Sequence, residues 1–423
     1  MLKHIRTFDA LSGKNFRNLW LGQINTSMGL WMDQTARGWL VYSMTHSPLQ
    51  LGLVTAARGV PMLFFGLAAG VVADRYSRKI QLTISAATEA FFSLVLATLV
   101  LTGRVEVWHI YATGILTGTA QAFSVPARMA LVNDLVPKDK LLNPVALMSA
   151  AFNVARGVGP ALAGILITYF GVSGSYYIEA VLAATAAMFT LQIKVPEAAK
   201  AALRKQAQAN ASYVASTLEA LKYVAADKLM LGLMILGLAP MVLAMPFTSL
   251  FPLFAVDILK VDAVGQGLLL SSLGVGALSG ALTMASRKGG PMGKTMLLGG
   301  IAFGLALCLF AYSPWMVFSM GMTFVAGVAN TTFTTQNQTA VQLMAPAHMR
   351  GRILSIYLTN RALTPIGTSM AGVLATFFGG PGAVLIMGLA TVALVVVLWA
   401  AIPRIATMGS PEAAATSPSE PPH

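Results

Sequence analysis

The chain has 423 residues, 56% of them hydrophobic and only 10% charged, with a mean hydropathy of +0.71. A soluble globular chain carries roughly a quarter charged residues, so this composition excludes water as its main solvent. The formal charge of +13 raises nucleic acid as a partner, but the distribution of that charge removes the need for one.

A bilayer core takes about 20 mostly apolar residues per helix. In chain order such spans fall at 18–43, 49–72, 80–102, 107–127, 143–169 and 173–193, then at 229–256, 264–285, 292–311, 314–338, 352–378 and 381–403. The fold class expected is all-α integral membrane, with about 12 transmembrane helices. The basic segment from Met1 to Lys14 runs into a long apolar span without a small-residue cleavage site, so no removable signal peptide is expected. If both ends face the cytoplasm, Arg104 and Lys260 fall outside and Arg37, Arg58, Arg156 and Arg361 fall within spans. The other 22 of the 28 Lys and Arg, Arg128 among them, lie on the cytoplasmic side. That asymmetry is the positive-inside pattern of a membrane protein.

The spans divide six and six. Residues 1–193 form an N-terminal bundle, 194–227 a cytoplasmic linker, 228–404 a C-terminal bundle, and the Pro- and Ser-rich stretch 405–423 a disordered tail. In the linker, Val214, Leu218, Leu221 and Val224 recur at helical spacing. The pattern fits an amphipathic helix at the membrane surface, or equally an extension of the next span. Ser124 to Asn143 and Phe333 to Leu354 share a pattern in which a polar span end is followed by Pro137 or Pro346. The next spans end in TYFG at Gly171 and TFFG at Gly379. The two halves therefore read as pseudo-symmetric repeats.

The first informative motif is GVVADRYSRK, between the second and third spans. Its Gly70, Asp74, Arg75, Arg78 and Lys79 resemble the loop signature of the major facilitator superfamily, with Ser77 where that family usually has Gly. The resemblance implies a conformational latch; a plain basic anchor would explain the cations but not Asp74 or the spacing. In the fifth span, VARGVGPALAG resembles the antiporter motif of the superfamily at Gly159, Pro160 and Gly164. Such small residues serve close helix packing as readily as a specific antiport role. With SPLQLGLVTAARGVP and FSVPARMALVNDLVP, these features are similar to the branch of enterobactin exporters, macrolide-efflux proteins and transmembrane secretion effectors. SRKGGPMGK from Ser286 retains only a worn copy of the latch, without its acid.

A charge in a bilayer costs at least about 2.5 kcal/mol on insertion scales, so polar residues inside spans should face a cavity or each other. The intramembrane acids are Asp33, Glu89 and Glu179. Asp33 lies on a polar face of the first span with Arg37 one turn away, which makes it the leading candidate for proton coupling; a purely structural Asp33–Arg37 pair is the alternative. Arg37, Glu89 and Glu179 complete the proton-coupling candidates. A polar pathway is expected from Asn25, Gln121, Arg128, Asn153, Arg156, Asn330, Asn360 and Arg361. Arg156 and Arg361 occupy corresponding helices, where they either hold an anionic substrate group or satisfy the acids. Pro240, Pro246 and Pro252 break the ladder of the seventh span and suit a bending helix.

The five histidines form no HExxH or comparable group, and no GxxxxGK[ST] loop is present. The expectation is therefore not an enzyme and not an ATP-driven pump. It is a monomeric secondary transporter in the bacterial inner membrane, without cofactor or metal. By resemblance it exports a small amphipathic or anionic, drug-like or siderophore-like molecule by proton antiport. A lysophospholipid flippase or a metabolite importer on the same fold is the alternative.

Overall fold

In the computed structural model, residues 10–136, 142–196, 213–286 and 290–409 are described, and every regular element among them is helical. The first four helices are α1 (Lys14–Thr45), α2 (Pro48–Arg75), α3 (Arg78–Leu101) and α4 (Val107–Leu135). The starts of α2 and α4 are chemically marked. Ser47 accepts from the Gln50 N–H with Pro48 at the first helical position, and Glu106 and His109 form a reciprocal capping box on α4.

A single run, Leu142–Leu191, breaks at Gly171 (φ 70°, ψ 173°) into α5 (142–170) and α6 (172–191). The same device recurs in the second half. There α12 (350–378) and α13 (380–401) meet at Gly379 (φ 70°, ψ 169°). Positive φ favours glycine, and both glycines follow exposed aromatic pairs, Tyr169–Phe170 and Phe377–Phe378. At this point the internal repeat read from TYFG and TFFG is a repeat of backbone conformation.

Between these runs lie α7 (Tyr213–Ala226), α8 (Lys228–Ile258), α9 (Ala263–Ser286), α10 (Met292–Ala311) and α11 (Met316–Met344), and the short α14 (Arg404–Thr407) follows α13. Eight helical runs are long and apolar enough to cross a membrane. Two of these are the glycine-broken double runs, while α1 and α4, of 32 and 29 residues, are as long but more polar. The described residues thus supply twelve spans.

The spanning run α8 is regular only to Ala239. A π turn at Pro240–Ala244, a 3-10 stretch at Met245–Leu250 and a second π turn at Phe254–Ile258 follow. Each of the three prolines removes a backbone donor there, and such ladder defects commonly mark working parts of a helix.

The chain packs into two compact units. The first comprises Met1–Ala211, Ser249–Ser271 and Thr368–Thr376; the second comprises Ser212–Thr248, Ser272–Gly367 and Phe377–His423. The chain passes from the second unit to the first inside the irregular stretch of α8. In the first unit α1 and α3 pack along the α5–α6 run and α2 packs on α4. Phe16, Leu19, Leu82, Leu131 and Met148 cluster near the start of α1. In the second unit Leu233, Met296, Phe333 and Tyr357 centre the core. Outward faces carry exposed apolar groups such as Phe64, Phe91 and Val317, as lipid contact requires. In lipid, helix association depends on close packing and small residues rather than on release of water.

One segment boundary differs from the sequence reading, and the linker helix is separate from the next span. The linker pattern forms a separate helix, α7, divided from α8 by Asp227, which caps α8 by accepting from the Leu229 and Met230 N–H groups. α7 buries Ala220 and Val224, whereas Leu221, assigned to the same apolar face, is exposed. The stretch from residue 405, expected to be a disordered tail, is ordered at its start: Ile405 and Ala406 belong to the core of the second unit and Ile405 packs on Gly293. Two apolar side chains in that run are enough to hold the turn. Residues 410–423 and 197–212 lie outside the described residues.

Candidate transport site

The most buried ion-pair group among the described residues is on α1. Asp33 is 1% exposed, and helical spacing puts Arg37 one turn away. Arg37 donates from Nη2 to Asp33 Oδ1 at 2.7 Å and from Nε to both carboxylate oxygens at 3.1 Å. Arg58 of α2 pairs with the other oxygen, Oδ2. Arg37 is fixed from α4 as well, donating from Nη1 to the Ile110 carbonyl at 2.7 Å and to Thr113 Oγ1 at 3.0 Å. Two guanidinium groups therefore share one carboxylate, and the buried Nε of Arg58 has no hydrogen-bond partner.

Two glycines of α4 make room for this arrangement. A Cβ on Gly118 would lie 2.0 Å from the Arg58 carbonyl oxygen, and one on Gly114 would lie 3.5 Å from Arg37 Nη1. The first is a backbone clash, so α2 and α4 can approach this closely only with glycine at 118.

A second acid sits on α6. Glu179 is 6% exposed and accepts from Ser93 Oγ of α3 at 2.8 Å through Oε1. Its Oε2 is buried without a hydrogen-bond partner, and its Cγ would lie 3.3 Å from a Cβ on Gly29 of α1. Toward the start of α1, Arg128 of α4 donates to Thr26 Oγ1 at 2.9 Å and to Ser124 Oγ at 3.3 Å, and Glu89 acts on it electrostatically. Asn25 donates to Thr185 Oγ1 at 2.9 Å. Arg156 of α5 lies over the Trp31 ring, 5.5 Å from its centroid, while Phe152 meets that ring edge-on. An arginine so placed gains a cation–π contact in addition to any ionic partner.

At the end of the unit far from Lys14, helices of the first unit interlock. A Cβ on Gly164 would lie 2.4 Å from the Ala263 carbonyl oxygen, and one on Gly267 would lie 2.4 Å from that of Pro160. Gly52 and Gly372 make a similar pair, with a Cβ on Gly52 2.4 Å from the Thr368 carbonyl oxygen. Hydrogen bonds reinforce these contacts. Tyr42 donates to Asp257, Gln266 donates to the Thr35 carbonyl at 3.3 Å, and the Ala161 N–H donates to Ser271 Oγ at 3.1 Å.

The loop between α2 and α3 is organised by Arg78. It donates to Asp134 of α4 at 2.5 Å, to the Ala73 carbonyl at 3.1 Å, and stands 3.9 Å from Asp74. Gln81 ties the Val72 and Tyr76 carbonyls at 3.0 and 3.2 Å.

In the second unit, Asn337 is fully buried and donates to the Leu233 carbonyl at 3.1 Å. A Cβ on Gly237 would lie 2.5 Å from the Tyr357 ring and 3.2 Å from both Asn337 Oδ1 and Asn360 Nδ2. Asn330, 6% exposed, leaves Oδ1 buried without a hydrogen-bond partner.

A family profile for transmembrane secretion effectors matches residues 5–421. The chain belongs to that family, a branch of the major facilitator superfamily. It is 25% identical over 381 residues to the staphyloferrin A transporter of Staphylococcus aureus (strain NCTC 8325 / PS 47), covering 88% of this chain and 92% of that one. It is 26% identical over 359 residues to the enterobactin exporter EntS of Escherichia coli O157:H7 (strain EC4115 / EHEC), covering 84% of each. The fold matches that of the nucleoside transporter NupG, with TM-score 0.69 and 19% identity over 91% of this chain and 98% of that one. A peptide transporter POT structure matches with TM-score 0.72 at 13% identity, over 93% and 95% of the two chains. The protein is thus a multi-pass membrane transporter with the major facilitator fold, and not an enzyme.

Within this secretion-effector chain, the residues singled out by sequence separate into several places. Asp33 and Arg37 meet as the spacing predicts, but the third member, Arg58, was read only as an intramembrane base. No local pattern links positions 25 residues apart on different helices. Arg128, expected on the polar pathway, lies within α4 and bonds Thr26 of α1; α4 continues to Leu135 rather than ending at 127. Asn153 bonds its own helix at the Ser149 carbonyl, and Gln121 is half-buried on α4. Of the latch residues, Arg75 is exposed and Asp74 meets only Arg78 among the described ion pairs; the firm partner of Arg78 is Asp134, which sequence reading missed. The Arg361 side chain lies outside the described residues, as do residues 287–289 of the worn latch copy.

Proposed function

We propose that this transporter exports a siderophore-like, anionic or strongly polar small molecule by alternating access, in exchange for protons. In this reading it works as a monomer in the bacterial inner membrane with both termini cytoplasmic, and the proton gradient rather than ATP supplies the energy. The observation that carries the reading is the Asp33–Arg37–Arg58 group. Two buried guanidiniums on one carboxylate leave a positive charge suited to an anionic ligand group, and Arg58 Nε is a buried donor still lacking an acceptor. The two relatives named for siderophore transport support the substrate class, and one of them is named as an exporter.

The interlocked glycines suit the alternation. Contacts made backbone to backbone through glycine require no side-chain rearrangement to part and re-form, while Tyr42 and Asp257 close the same end with a charge-assisted hydrogen bond. The irregular stretch of α8 supplies a segment able to bend as they part.

The test is transport of radiolabelled staphyloferrin A and enterobactin in inverted and right-side-out vesicles, with and without an imposed proton gradient. Accumulation in inverted vesicles that collapses with the gradient is the expected result. Uptake confined to right-side-out vesicles would make the protein an importer. Movement indifferent to the gradient would remove proton antiport.

A further inference from the structure

Resting on the proton-antiport reading, we infer that the exchanged proton resides on Glu179, held by Ser93 between α1, α3 and α6, and that Asp33 is a permanently ionised anchor.

The two acids differ in what surrounds them. Asp33 has both oxygens bonded by guanidiniums, from Arg37 and Arg58. Removing its charge would strand two buried cations, so Asp33 has no means of cycling through a neutral form without dismantling the group. Glu179 has one neutral hydroxyl donor, Ser93, and its second oxygen is buried with no hydrogen-bond partner. A buried carboxylate with a single neutral donor is costly, whereas the carboxylic acid is far less so. In this arrangement the neutral form is the one that fits.

The charged groups acting on Glu179 define what the ionised form would do. Arg58 on α2 and Arg37 on α1 attract it, Glu89 on α3 repels it, and Tyr176 lies one turn away on α6 with its own hydroxyl buried and without a hydrogen-bond partner. Arg58 also carries the donor, Nε, that lacks an acceptor. Loss of the proton from Glu179 therefore creates an anion for which Arg58 is the available partner, and attraction to it weakens the hold of Arg58 on Asp33. Reprotonation returns Arg58 to Asp33. The step is a proton release and uptake with no other bond made or broken. It couples Glu179, 179 residues into the chain, to the arginine proposed above to receive the substrate. Gly29 is part of the device, because its missing side chain leaves the Glu179 stem against α1.

Infrared difference spectroscopy on the purified full-length protein tests this without a substrate. At neutral pH, wild type minus Glu179→Gln should show the carbonyl band of a protonated carboxylic acid, sensitive to deuterium exchange. Ser93→Ala should shift that band by removing its hydrogen bond, while leaving the protein folded by size-exclusion profile. Absence of a carboxylic-acid band in the difference spectrum overturns the inference, and so does a band unmoved by Ser93→Ala. If Glu179→Gln fails to fold, the band in wild type and its shift in Ser93→Ala decide the matter alone. In vesicles, Glu179→Gln should lose gradient-driven accumulation at least tenfold while keeping substrate counterflow within about threefold of wild type. Gradient-driven transport retained by Glu179→Gln overturns the assignment of the proton to Glu179. Gradient-independent transport by wild type overturns the antiport reading instead, whatever the infrared band shows.

Discussion

Gly164 and Ala263 are in backbone contact: a single added carbon on Gly164 would reach 2.4 Å from the Ala263 carbonyl oxygen. Gly267 returns the contact to the carbonyl of Pro160, so the antiporter-like motif of α5 has a specific packing partner at the start of α9. A real Cβ does not survive at that distance, and the neighbouring atom is backbone rather than a flexible side-chain tip. Gly164→Val should therefore hold these helices apart. The expected outcome is a fall in transport of about tenfold or more with near-normal expression, together with faster labelling of a cysteine placed at Ser271 in a Cys308→Ser background. Labelling at the wild-type rate would show that the contact is not required for closure.

The Asp33 group should behave as one unit. Taking away one partner of a buried ion pair typically costs about 3–5 kcal/mol, because the remaining charge is left uncompensated. Asp33→Ala leaves two such charges and should lower the melting temperature in detergent more than Arg58→Gln, which leaves the Arg37 contacts intact. The Asp33→Ala, Arg58→Gln double variant should recover part of the loss, since one stranded cation has been removed. Additive single-variant losses would contradict the coupled arrangement.

Parts of this site were legible because their spacing is local. Asp33 and Arg37 are one helical turn apart, and the Gly171 and Gly379 breaks announce themselves through TYFG and TFFG. Most of the twelve spans follow from hydropathy and length, since lipid imposes both, whereas α1 and α4 are long but more polar. The rest depends on which helices adjoin. Ser93 gives no sign in sequence that it serves Glu179, 86 residues away, and the glycines at 114 and 118 look like any small residues in a span until Arg37 and Arg58 are seen against them. The extent of α4 beyond residue 127 was hidden for a related reason: a hydropathy window ends a span where polar residues begin, but the helix runs on to Leu135 and Arg128 on it bonds α1.

The loop signature between α2 and α3 makes a distinguishable prediction about its arginines. Arg78 bonds Asp134 and the end of α2, whereas Arg75 is exposed. An exposed cation contributes little to stability, while a partly buried one with several acceptors contributes more. Arg78→Ala should lower thermal stability and transport together, and Asp134→Ala should reproduce most of that loss. Arg75→Ala should leave the melting temperature within about 1–2 °C of wild type, in line with a surface substitution worth less than about 0.5 kcal/mol. Equal effects of Arg75→Ala and Arg78→Ala in a thermal-shift assay would remove Asp134 from the loop's structural role.

Gly237 offers the sharpest steric test in the second unit. It lies where α8 passes Tyr357, Asn337 and Asn360, two residues before the regular helix ends at Ala239. Alanine would place its methyl 2.5 Å from the Tyr357 ring and 3.2 Å from two side-chain amide atoms. The ring can swing aside, but only by displacing the side chain from its buried position, and Asn337 is already committed to the Leu233 carbonyl. Overpacking of a filled interior costs about 1–3 kcal/mol. Gly237→Ala should therefore lower the melting temperature, and Tyr357→Leu in the same chain should restore part of it by clearing the ring from the path. A Gly237→Ala protein as stable as wild type, with no gain from Tyr357→Leu, would mean that α8 shifts away from these residues at no cost. The position would then lie on a moving surface rather than a packed one.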